Sequence, residues 1–85
     1  MFEQIKKIGE SLGWKVERYH VSSDSIYFHK DNGFSMCAII DDGIASSIED
    51  EIKVYTSERY IKTYGAWDKE DIEDARALHH ALKDF

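Results

Sequence analysis

Four histidines, one cysteine and seventeen carboxylates are the side chains through which this 85-residue chain would do chemistry. His79 and His80 are adjacent in a segment of helical periodicity, so their side chains diverge by about 100° and do not easily share a metal. Helices that bind metal set two histidines at i and i+4, a spacing this segment lacks. His20 and His29 fall on neighbouring strand segments without facing one another directly. A zinc site built from them and a carboxylate would need a longer-range coincidence. Surface or partly buried histidine is the simpler reading, and neither a metal nor another cofactor is expected.

Cys37 would be a nucleophile if the fold brought a histidine against it. It sits in an apolar strand segment, where a free cysteine behaves as a small hydrophobe, and nothing beside it in sequence would lower its pKa. The serines at 22, 23, 25, 46 and 47 lie in turn-like stretches, where serine is common for conformational reasons. No glycine-framed nucleophile or phosphate-binding loop accompanies them. Asp41 and Asp42 resemble half of a hydrolytic carboxylate pair, but Asp42-Gly43 is also what a tight turn needs. These residues name no reaction, so the expectation is a non-enzymatic protein.

Acidic clustering is the stronger signal. Asp41, Asp42, Glu49, Asp50 and Glu51 form one group with no base between positions 41 and 51. Asp68, Glu70, Asp71, Glu73 and Asp74 form a second, relieved only by Lys69. Acids at a helix start are favoured by the helix dipole, which accounts for the second group and leaves the first unexplained. If the two groups converge, they make a negative surface that steers toward a basic partner. Tyr55, Tyr60 and Trp67 are the aromatics placed to anchor such a partner. Tyr60, Tyr64 and Trp67, interleaved with Arg59 and Lys62, also suggest a base-stacking surface. A formal charge of −6 opposes nucleic-acid phosphates, so core packing is the better reading of those rings.

The elements that must position these groups follow from periodicity. Phe2, Ile5, Ile8 and Leu12 form a helical stripe, with Gly13 as the left-handed residue after it and Trp14 folding back. Trp14–Val21, Ile26–Lys30 and Phe34–Ile40 read as strands. Asn32-Gly33 is taken as a two-residue hairpin turn, and Asp42-Gly43 as a second. That register sets Phe28 opposite Cys37, Ile26 opposite Ile39, Tyr27 opposite Ala38 and His29 opposite Met36. Both sheet faces are then apolar, which leaves one seeking cover from the 57–67 segment, a partner or a second copy. Glu51–Thr56 reads as a further strand through Ile52 and Val54, although Ile48, Ile52 and Tyr55 also fit a helix. Ser57 would cap a short helix ended by Gly65. Asp68 would cap the last helix, with Ile72, Ala75, Leu78 or His79, Leu82 and Phe85 as its apolar stripe.

One α+β domain over residues 1–85 is therefore expected. Its core would be a three- to four-stranded antiparallel meander with an N-terminal and a C-terminal helix packed on one face. A hydrophobic fraction of 42% supports a core of that size. One cysteine, no leader-like N-terminus and no long apolar run point to a cytoplasmic protein with no membrane contact. The functional expectation is a small acidic module that binds a protein with a basic surface, of the kind exemplified by an inhibitor or immunity-type protein of a nucleic-acid enzyme. It would make no direct contact with nucleic acid. The alternative is a homodimeric scaffold or small-ligand module that uses the uncovered sheet face.

Overall fold

A computed structural model describes residues 1–18, 20 and 24–85. The expected strand residues Tyr19 and Val21 and the serines at 22 and 23 lie outside the described residues. Among the described residues the chain is α+β, with a three-stranded antiparallel sheet in the order β1-β2-β3 and four helices. The elements are α1 (Phe2–Ser11), β1 (Lys15–Arg18), β2 (Ser25–His29), β3 (Ser35–Ile39), α2 (Ile44–Tyr55), α3 (Glu58–Tyr64) and α4 (Lys69–Ala81).

α1 ends as its sequence implies. Gly13, at φ +92°, donates its amide to Glu10, and Trp14 donates to Gly9 at 3.0 Å. These two bonds make a Schellman closure, which satisfies the last carbonyls and turns Trp14 inward. Trp14 is 3% exposed and packs edge-on to Phe28. Leu12, expected as the last residue of the apolar stripe, is instead the C-cap and is exposed. Gly9 lies where α1 crosses the sheet: a Cβ there would stand 2.6 Å from Val16 Cγ2 and 3.2 Å from the Phe28 ring.

The β2–β3 hairpin corrects the expected register. Lys30 N–H donates to the Phe34 carbonyl and Gly33 N–H to the Lys30 carbonyl. The loop is therefore three residues, Asp31-Asn32-Gly33, with Gly33 at φ +94°. This is a type I turn closed by a left-handed glycine. Phe28 pairs with Met36, Ile26 with Ala38 and Tyr27 with Cys37. A one-residue slip sends every side chain of the returning strand to the other face. Val16, Ile26, Phe28, Met36 and Ala38 consequently share one buried face, whereas Tyr27, His29, Cys37 and Ile39 are half-buried on the other. The two-faced apolar sheet, and with it the motive for covering a second face, disappears.

The second hairpin is absent as well. Gly43 closes a turn onto Ile40 and becomes the N-cap of α2 at φ +89°. Residues 51–55 are helix, not strand, because Ile44, Ile48 and Ile52 repeat every four residues and are all buried. Each such side chain, taken from water, contributes about 2 kcal/mol. α1 packs along β1, α2 along β3, and α4 on α2. Ala75, Leu78 and Leu82 of the C-terminal segment join Ile5, Trp14, Phe34 and the α2 isoleucines in one core. Ile72 is only partly buried and Phe85 is 40% exposed, so the expected α4 stripe is narrower than its sequence implies. Ser57 caps α3 by accepting the Tyr60 amide, and Gly65 ends it, as expected.

Candidate functional site

β3 is an edge strand, and α2 closes that edge with side chains. Ile39 N–H donates to Ser47 Oγ at 3.1 Å, and Cys37 N–H donates to Glu51 Oε1 at 3.1 Å. Tyr55 Oη donates to the Ser35 carbonyl at 2.8 Å. Positions 47, 51 and 55 advance about 6 Å per step along a helix. Positions 39, 37 and 35 step back about 6.6 Å each along a strand. The two repeats match, so three residues satisfy backbone groups that an open edge would leave as a template for aggregation. Burial pushes the Tyr55 hydroxyl up to about 12, with the Glu51 charge adding to it.

This docking leaves a groove of about 300 Å³ on the outside of the β3–α2 junction. Asp42 from the turn and Asp50 and Glu51 from α2 stand around it, beside Cys37, Ile39 and Val54. No lysine or arginine lines it. Asp41 lies next to this rim, and its carboxyl is raised above the ordinary range by a hydrogen bond with Asp24 and by the charges of Asp24 and Asp42. Asp24 and Asp41 are thus close enough for their like charges to repel one another.

The other expected site residues go elsewhere. Glu49 turns away from the groove and pairs with Lys53 at 3.3 Å and His79 at 3.8 Å. Glu51 belongs to the groove and also holds β3. Tyr55 and Trp67 pack on Phe34 at centroid distances of 5.2 and 5.0 Å. Trp67 Nε1 donates to Tyr60 Oη at 3.2 Å. Tyr55 and Trp67 are thus built into the aromatic packing, and Tyr60 opens onto a separate cleft with Tyr64.

The second acidic group does not join the first. Asp71 is 3% exposed and accepts hydrogen bonds from Lys30 Nζ at 2.9 Å and Asn32 Nδ2 at 3.0 Å. Asp74 also receives Lys30. These bonds fasten α4 to the hairpin loop that precedes β3, whereas Asp41 and Asp42 follow its far end. Burial works against the Asp71 charge, but Lys30 and Asn32 outweigh it and hold the carboxyl below its ordinary range. The partners Asp74 and Asp71 raise Lys30. Sequence reasoning missed this cluster around the buried Asp71, because Asp71 was indistinguishable from its neighbours in the first turn of α4.

No family model, curated protein or solved structure matches this chain. The chemistry must be read from the residues alone. His29 Nε2 lies 3.6 Å from Glu17, and its ring stacks on Tyr27. Among the described residues no group of three or more His, Cys, Asp or Glu is placed to hold a metal. Cys37 lies on the half-buried face, across from Tyr27 and not beside Phe28. Burial raises its thiol, with Glu51 adding to that, which favours the unreactive protonated form. Among the described residues no helix is long and apolar enough to cross a membrane.

Proposed function

We propose that this chain is a non-enzymatic binding module whose groove beside β3 receives a lysine- or arginine-rich segment of another protein. The reading rests on one observation: Asp42 and Asp50 converge from the 40–43 turn and from α2 around an apolar floor of Ile39 and Val54, with no cation among the lining residues. Such a rim accelerates encounter with a basic surface, and the floor supplies dry contact once the partner has docked. An inhibitor or immunity-type protein that covers the basic working surface of a nucleic-acid enzyme has these requirements. The reading takes the two terminal helices to lie on the buried side of the sheet, which leaves the groove side open. A single cysteine suits a reducing, cytoplasmic setting.

The test is affinity capture from the native organism with the wild-type chain and with the double variant Asp42→Lys/Asp50→Lys, at low and high salt. Both side chains are exposed, so the fold is retained. The expected result is a basic protein captured by the wild type at low salt and lost with the variant. Equal capture by both chains would overturn the proposal.

A further inference from the structure

The acidic groove continues across Val54 into a second depression of opposite charge. Val54 is 52% exposed and lines both. On its far side a cleft of about 530 Å³ is bounded by Lys53, Ser57, Arg59, Tyr60 and Tyr64. Arg59 forms no salt bridge among the described residues. Tyr64 is 75% exposed, and its ring rests on Tyr60 with centroids 5.0 Å apart. Tyrosine and arginine are the residue types that interfaces concentrate, and these stand beside an apolar side chain left in water.

The order of groups along this surface is what selects an occupant. Asp42 and Asp50 lie at one end, Val54 in the middle, and Arg59 with the two tyrosines at the other. A strip that is negative at one end and positive at the other is complementary to its own copy rotated by 180° about its midpoint. Each acidic end then meets the cationic, aromatic end of the other copy, and the two Val54 side chains meet near the axis. A uniformly acidic surface would repel its copy, and a uniformly apolar one would set no register.

We infer that the chain forms a symmetric homodimer through the outer face of α2 and α3, with a two-fold axis near Val54. The dimer covers the groove assigned above to a basic protein, so self-association and that partner compete for Asp50. The inference concerns the free protein and does not depend on the partner's existence.

The test is sedimentation velocity of the full chain from micromolar to millimolar concentration, at low and high salt. The wild type is expected to pass from monomer to dimer, with the dimer weakened by salt. Asp50→Arg and Arg59→Asp, each placing two like-charge contacts in the dimer, should each raise its dissociation constant by about tenfold or more. The combined Asp50→Arg/Arg59→Asp chain restores the pairing with its polarity reversed and should return to within about threefold of the wild type. A monomer at every concentration, an open-ended series of oligomers, or a double variant no better than the singles would overturn the two-fold arrangement. Docking of an acidic protein in the Arg59 cleft, with the chain itself monomeric, would also overturn it. A monomer that still captured a basic partner through Asp42 and Asp50 would overturn the dimer alone and leave the proposed function standing.

Discussion

The Glu51 carboxylate accepts the Cys37 amide at 3.1 Å, fourteen residues back along the chain. That bond divides the labour of the 41–51 acidic stretch. Glu51 holds the edge strand in place, and Asp42 and Asp50 stand on either side with no such duty. Glu51→Ala should destabilise the fold by about 1–3 kcal/mol, since it strands a part-buried backbone donor. Glu51→Gln keeps an acceptor and should cost less than half as much. Urea denaturation of the two variants measures the difference, and the alanine variant should also aggregate sooner on heating because its strand edge is open.

Gly9 tests the contact between α1 and the sheet. Alanine is favoured over glycine inside a helix by about 1 kcal/mol, so a loosely packed site would be stabilised by Gly9→Ala. With Val16 Cγ2 at 2.6 Å from the added carbon, the opposite is expected. Overpacking should leave a net loss of about 1–2 kcal/mol. Val16→Ala, made in the Gly9→Ala background, should recover part of it. Thermal melting of the wild type and the two variants gives the comparison.

The ion-pair cluster around Asp71 at the hairpin tip should be read out by pH. Asp71 is held below its ordinary range, so its contribution is present above the unfolded carboxyl pKa and is lost as pH falls through the lower folded value. Lys30 is raised from 10.5, so its contribution is present below that pH and is lost as pH rises through the folded value. Stability should therefore fall below about pH 4 and above about pH 10.5. Asp71→Ala removes a buried partner of Lys30 and Asn32 and should cost about 3 kcal/mol near neutrality. Denaturation across pH should show the acid limb flattened in that variant.

Tyr55 gives an alkaline signature of its own. One tyrosine should titrate near pH 12, displaced upward by burial and by Glu51. A group raised in the folded state loses its contribution as pH rises from the unfolded value of about 10 toward 12. Tyr55→Phe should remove this late step from the ultraviolet titration and cost about 1 kcal/mol through the lost bond to the Ser35 carbonyl.

Much of this architecture was legible because local chemistry and tertiary structure agree. Gly13 and Trp14 close α1 as their types require, Ser57 caps α3, and the acids and histidines of α4 sit where its dipole favours them. Two readings failed where one residue decided between near-equal alternatives. Asn-Gly fits a two-residue turn, but with Asp31 it also fits the three-residue turn that forms, and the slip reverses the faces of β3. Ile52 and Val54 alternate like a strand, yet Ile44, Ile48 and Ile52 at intervals of four are the stronger pattern. That spacing, counted from Ile44, would have identified α2. The acidic groove depends on both features, so residues 41–51 were recognisable as unusual while their arrangement was not. Asp71 gave no local sign of burial, because its partners Lys30 and Asn32 lie about forty residues away.

Whether Asp42 and Asp50 receive a cationic surface is tested most directly by the association rate of the captured basic partner. Rates would be measured by rapid mixing for the wild type and for Asp42→Lys/Asp50→Lys across a range of salt. Steering by these carboxylates predicts a wild-type rate that falls steeply as the Debye length shrinks, and a variant at least about tenfold slower at low salt with little salt dependence. Equal rates and equal salt slopes for the two chains would contradict it.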